Sequence, residues 1–371
     1  MTDDLYQPDR IDGARHPRDT AMLIGQEAAE AAFLDAFNSG KLHHGWLLTG
    51  PRGVGKATLA WRLARFLLAT PGPDDGGMFA PVVPSTLDID PEHPVARRIA
   101  AGGEGALKVV TRSIDEKTKR LRKQIVVEDI RKLNGFFQMS AADGGRRVVI
   151  IDDADLMNPN AANALLKMLE EPPARAIILL ISHRPSGLLP TIRSRCRTLR
   201  LGTLNPDQMA QALSLSGVDV TGDPGALAAL SGGSVGAALS LSLMGGLQLY
   251  AELVALLGTL PRLDRSRALK LAEAAAARGA EEKLALLFDL TDLLMLRLAR
   301  TGALGHPPEV SAAPNEQTIL SRLSPTPEQG REWAQAAQGI SARARHGMAV
   351  NLDPAALVLD TLFKMGEAAP R

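Results

Sequence analysis

A doubly wound α/β layer followed by two helical regions is the architecture that this 371-residue sequence predicts. Three observations point to it. Short unbroken apolar runs of the kind buried in a parallel sheet occur at 46–48, 148–151 and 176–181. Between them lie stretches with helical spacing and helix punctuation. After Leu201 the strand signal vanishes and only helical periodicity remains.

Each element follows from local chemistry. The first run, Trp46-Leu47-Leu48, leads into a glycine-rich turn, and Leu59, Leu63, Leu67 and Leu68 with Ala60 and Ala64 mark an amphipathic helix behind it. Residues 70–105 interrupt the pattern with PGPDDGG, Pro81, Pro84, Pro91, Pro94 and AAGGEG, so an insertion or long loop is expected there. Residues 107–111 are a weaker strand candidate. The run at 148–151 ends on two aspartates. Asn158 can cap the next helix with Pro159 in its first turn, and that helix must stop near Glu171 because Pro172 and Pro173 follow. The run at 176–181 ends on Ser182. Asn205-Pro206 opens a helical stretch that breaks at Gly232-Gly233 and reaches about Met244. Further helical patterns lie at about 247–257, 264–277, 280–300, 327–346 and 353–364. The expected division is therefore 1–200, 201–244 and 245–371.

Composition narrows the function classes. With 22% charged and 45% hydrophobic residues the chain is globular, and no run approaches the roughly 18 apolar residues of a membrane span. Even 284–298 is broken by Asp289, Asp292 and Arg297. The segment MTDDLYQPDRIDG has neither the basic nor the apolar region of a signal peptide, so a cytoplasmic protein with no membrane partner is expected. One cysteine, Cys196, cannot form an intrachain disulfide or supply a thiolate zinc or iron–sulfur site. The net charge of +1 hides two basic stretches. Residues 112–132 carry eight cations against four acids, and 175–200 hold six arginines and no acid.

The turn after the first run reads Gly50-Pro51-Arg52-Gly53-Val54-Gly55-Lys56-Ala57-Thr58. Strand, glycine loop, helix is the context of a phosphate-binding loop: glycines let backbone N–H groups face phosphate, the helix N-terminus adds its dipole, and Lys56 reaches terminal oxygens. The position that should place a hydroxyl on Mg²⁺ is Ala57, and Thr58 lies about 100° further round the helix. Val148-Val149-Ile150-Ile151-Asp152-Asp153 has the form of a buried strand that delivers a metal-binding aspartate, Asp152, followed by the acid that polarises water, Asp153. Asp153 is one methylene shorter than the usual glutamate. Both halves of an ATP/Mg²⁺ site are present, and both are altered.

The segment Ala161-Ala162-Asn163-Ala164-Leu165-Leu166-Lys167-Met168-Leu169-Glu170-Glu171-Pro172-Pro173, the later Ser194-Arg195-Cys196 and the earlier Leu23-Ile24-Gly25-Gln26 closely resemble clamp-loader subunits of the AAA+ class. The resemblance is strong over about 15–200 and looser beyond. It implies a RecA-like AAA+ P-loop domain, a small helical lid and an all-helical collar that joins other subunits. It also implies Gly50, Gly53, Gly55, Lys56, Thr58, Asp152 and Ser182 as nucleotide-site residues, and Arg195 as an arginine finger directed at a neighbouring subunit's ATP.

Several departures resemble the delta prime branch rather than the ATP-hydrolysing gamma/tau subunits. Ala57 replaces the magnesium hydroxyl, Gly236 stands where motor subunits carry a nucleotide-sensing arginine, and Ser182 replaces a threonine or asparagine. The family's four-cysteine zinc module is missing from 70–105, where His93 is a lone loop histidine, so no zinc is expected. The implied role is a component of the DNA polymerase III holoenzyme, a nucleotidyltransferase. Its partners would be the gamma/tau and delta subunits and, through the complex, the sliding clamp and primer–template DNA. Two rival readings stand beside it: a self-sufficient ATPase using Lys56, Thr58, Asp152 and Asp153, and a DNA-binding adaptor using 112–132. That basic run otherwise reads as a solvated helix face.

Overall fold

The computed structural model describes residues 11, 13–20, 22–71, 83–138, 145–277 and 279–369. Most of the segment read for a signal peptide, and residues 72–82 of the expected insertion, lie outside the described residues. Contacts group the residues up to Val218, with Ser234–Gly236, into one compact unit, and Asp219–Gly233 with the residues from Ala237 onward into another.

The first unit runs α1 (Glu27–Asn38), β1 (Gly45–Thr49), α2 (Lys56–Ala69), α3 (Pro94–Ala100), β2 (Leu107–Val110), α4 (Val127–Gln138), β3 (Arg147–Ile151), α5 (Pro159–Glu170), β4 (Ala176–Ser182), α6 (Pro190–Ser194), β5 (Arg197–Arg200) and α7 (Pro206–Leu215). The strands form one parallel sheet in the order β2-β3-β4-β1-β5. Because strand side chains alternate, Trp46, Leu48, Val148 and Ile150 pack on one face with Phe33 of α1 and Leu63 and Phe66 of α2. Leu47, Val149, Ile151 and Leu180 pack on the other with Leu133 of α4 and Leu165 of α5. This two-sided burial is why the strands read as continuous apolar runs. The carboxyl ends of β1, β4 and β3 lie side by side, the edge where ligands meet open α/β sheets.

Three features of this unit depart from the sequence reading. Strand β5 was not expected: only Leu199 of its four residues is buried, so no apolar run marks it. The 70–105 insertion contains a helix, α3, and His93 is its cap, with Nδ1 accepting the Val95 N–H at 3.2 Å. Residues 112–124 are not a helix face. Asp115 Oδ1 accepts the N–H groups of Lys117 and Thr118 at 3.0 and 2.9 Å and turns the chain back, so that Ile114 bridges Leu121 in antiparallel fashion; helix begins only at Val127.

The second unit holds α8 (Pro224–Ser231), most of α9 (Val235–Leu243), α10 (Gly246–Gly258), α11 (Arg265–Ala275), α12 (Glu281–Leu304), α13 (Glu316–Leu323), α14 (Pro327–Ala349) and α15 (Pro354–Ala368). Among the described residues no single helix is long and apolar enough to cross a membrane. The apolar stretch of α12 is buried inside this unit through Leu287, Leu294, Met295 and Leu298. Helices α12 and α14 meet backbone to backbone at Gly302 and Gly330, where an added Cβ on Gly330 would lie 2.8 Å from the Ala299 carbonyl oxygen.

Helix α13 was missed, its eight residues being too few for periodicity to register. Its first residue, Glu316, is fully buried. One carboxylate oxygen accepts from Arg297 Nε at 2.7 Å and from the Tyr250 hydroxyl at 2.5 Å, while the other accepts the Ala312 N–H at 2.6 Å. Arg297 also donates to the Val310 carbonyl at 2.8 Å. One of the three residues that break the apolar pattern of 284–298, Arg297, is thus a member of an internal ion pair.

Candidate functional site

The glycine loop lies between the carboxyl end of β1 and the first turn of α2. Gly50 has φ of 147°, and a Cβ there would collide with the Leu201 carbonyl. Gly53 has φ of 76°, a Cβ would collide with Ser234 Oγ, and its carbonyl accepts the Gly236 N–H at 3.0 Å. Glycine is therefore required both for the turn and for close approach of the 234–236 strap. Gln26, which the sequence reading did not single out, fixes the loop from behind: its amide donates to the Val54 and Gly202 carbonyls at 3.2 and 2.9 Å and accepts the Gly202 N–H at 3.0 Å.

Lys56 is 3% exposed and donates to the Gly50 and Pro51 carbonyls at 2.8 and 2.5 Å. Burial pushes its ammonium down to about 8 against the opposing pull of Asp152, Asp153 and Asp155. Ala57 packs against the apolar core, and Thr58 is half-buried one helical step on. The strap residue Gly236 supplies only its backbone.

Beside the loop, β3 delivers Asp152, which is buried, and Asp153, which opens a 3-10 turn over Ala154–Leu156. Ser182, at the end of β4, donates its hydroxyl to Asp155 at 2.6 Å. The same carboxylate accepts the N–H groups of His183 and Arg184 at 2.5 and 3.0 Å. Asp155 is the second residue missed from sequence; its only signal was an acid two places beyond the Asp-Asp pair. It makes Ser182 a strut between β3 and β4.

Burial, and then Asp155, push the Asp153 carboxyl up to about 6. Burial, and then Lys56, push His183 down to about 4, although its Nε2 lies 3.7 Å from Asp153 Oδ2. These shifts oppose each other in stability. The raised Asp153 favours the fold below 3.8, an advantage lost as pH rises through about 6; the depressed His183 favours it above 6.5, an advantage lost as pH falls toward about 4. Between pH 4 and 6 the two contributions therefore run in opposite directions, and Asp153→Asn, which removes the falling one, should gain stability with pH relative to the wild-type chain over that window. Urea melts at several pH values check it, and parallel curves would contradict it.

These residues do not fit a hydrolysing Mg²⁺–ATP site. Position 57 has no hydroxyl, the loop's own carbonyls hold the lysine, and Asp155 is taken by three donors. Among the described residues no group of three or more His, Cys, Asp and Glu side chains converges for a metal.

Arg195 is not with this cluster. Its backbone packs against Gly45, the first residue of β1, where an added Cβ would lie 3.1 Å from the Arg195 carbonyl oxygen and 3.3 Å from Cys196 Sγ. Lys56 follows the opposite end of that strand, whose two ends lie roughly 13 Å apart at ~3.3 Å rise per residue. The Arg195 guanidinium pairs with Glu170 Oε1 at 2.9 Å and donates to the Thr191 carbonyl at 3.2 Å. Burial pushes the neighbouring Cys196 thiol up to about 12, which makes it a packing residue rather than a nucleophile. The 112–124 turn exposes Lys117, Lys119, Arg120 and Lys123.

A family profile described as "DNA polymerase III, delta subunit" matches residues 25–205. DNA polymerase III subunit delta' of Pseudomonas aeruginosa is 40% identical over 153 residues, which are 41% of each chain. DNA polymerase III subunit tau of Salmonella typhimurium is 32% identical over 338 residues, covering 83% of this chain and 48% of that one. DNA polymerase III subunit gamma/tau of Mycobacterium bovis is 31% identical over 198 residues, covering 53% and 31%. The chain thus spans less than half the length of these curated relatives.

Proposed function

Since the chain belongs to the clamp-loader family of AAA+ proteins, we propose that it is a delta prime-like subunit of the bacterial DNA polymerase III clamp loader, which triggers ATP hydrolysis on a neighbour without hydrolysing ATP itself. The observation that carries this reading is the separation of its two charged centres. Arg195 and Lys56 sit at opposite ends of β1, an arrangement that suits an arginine acting on phosphate held by another chain rather than on phosphate in this chain's own loop.

Its own loop binds nucleotide weakly or not at all, in keeping with a lysine already engaged by the Gly50 and Pro51 carbonyls. Residues 1–200 act as the AAA+ domain, 201–244 as the lid, and 245–371 as the collar that joins gamma/tau and delta subunits in the cytoplasm. Primer–template DNA and the sliding clamp are reached through the complex; a DNA-binding adaptor that uses the exposed cations Lys117, Lys119, Arg120 and Lys123 is the rival reading.

The test is turnover with and without partners. The isolated chain with Mg²⁺ and ATP should release no phosphate above buffer. Added to a gamma/tau-type subunit and delta, it should raise their clamp- and DNA-stimulated turnover. Magnesium-dependent hydrolysis by the isolated chain at the rate of a motor subunit would instead make it a self-sufficient ATPase.

A further inference from the structure

We infer that Glu170 is a positioning residue for Arg195, holding the guanidinium in the orientation from which it meets phosphate. This rests on the reading of Arg195 as a finger that acts in trans.

The backbone of the finger is fixed from behind. Gly45 admits the Arg195 carbonyl and Cys196 against the start of β1, and the His44 imidazole, bonded through Nε2 to the Leu169 carbonyl at 2.9 Å, ties the end of α5 to the same strand. Glu170, the last residue of α5, is thereby held beside the finger. A carboxylate at that end of a helix faces the negative pole of the helix dipole, so its place is unfavourable for α5 alone. Arg195 supplies the compensating charge.

Glu170 Oε1 takes Nη2 at 2.9 Å and the Thr191 carbonyl takes Nη1 at 3.2 Å, one bond to each terminal nitrogen. A guanidinium has five N–H donors, so these two bonds leave Nε–H and one hydrogen on each terminal nitrogen for phosphate. A long side chain half open to solvent otherwise spreads over many rotamers. Fixing it beforehand removes that cost from the catalytic step.

The experiment has two readouts. In the isolated chain, the order parameter of the Arg195 Nε–H bond is measured by nitrogen-15 relaxation in wild type, Glu170→Ala and Glu170→Gln. In the complex reconstituted with gamma/tau-type and delta subunits, the same variants are compared with Arg195→Ala for turnover. Glu170→Ala should loosen Arg195 and lower kcat by about 5-fold, the worth of a partly exposed pair, with KM for ATP unchanged. Glu170→Gln, which keeps an acceptor oxygen, should restore both.

An unchanged order parameter in Glu170→Ala would overturn the inference even where Arg195→Ala abolishes stimulation. A rise in turnover would also overturn it, since Glu170 would then be restraining the finger. If Arg195→Ala leaves turnover intact while Glu170→Ala still loosens the side chain, the finger reading falls and the mount stands as a purely structural one.

Discussion

Replacing Arg195 with alanine should lower the ATP turnover of the reconstituted complex by about 10³-fold, the lower end of what an arginine finger contributes. The chain itself should fold as before. The Arg195–Glu170 pair is partly exposed, and such pairs contribute about 0 to 1 kcal/mol. Stimulation and stability therefore separate: the melting curve of the variant should overlay that of wild type, and size-exclusion chromatography should show the complex still assembled. Arg195→Lys should recover only a small part of the rate, because an ammonium keeps the charge but not the planar fork that meets two phosphate oxygens. Stimulation left intact in the alanine variant would mean that the triggering charge comes from another chain.

The second large effect lies in the helical unit. Glu316→Ala should destabilise the protein by about 3 to 5 kcal/mol, because it strands the Arg297 guanidinium without its counter-charge in a buried setting. Tyr250, whose phenol is held well above its usual range by burial and by Glu316, loses its acceptor at the same time. Restoring an apolar interior should rescue much of the loss: the double variant Arg297→Met with Glu316→Leu should melt above Glu316→Ala in urea. A cost below about 1 kcal/mol for the single variant would show that Arg297 finds another partner or reaches solvent.

Legibility in the sequence tracked burial. Strands β1, β3 and β4 are covered on both faces, so their side chains are apolar without interruption and could be read directly. The glycine loop was legible for a different reason: its backbone geometry admits few residues at Gly50 and Gly53. What gave no sign of its structural role was polar. Gln26, Asp155 and Glu316 hold the structure by accepting or donating several bonds at once, and a polar residue that satisfies backbone groups looks the same in sequence as one that faces water. Strand β5 was hidden because one of its faces is open.

That open strand carries a consequence for how the chain keeps company. It lies at one end of the strand order, the place in a sheet where an extended segment can add. Four residues are a short template. Arg197 and Arg200 place a positive charge at each end of it, with Arg197 laid over the Trp46 ring 5.4 Å away. A second copy docking edge to edge would bring like charges together while gaining few ladder bonds. A rim this short and this positively charged disfavours strand addition along it.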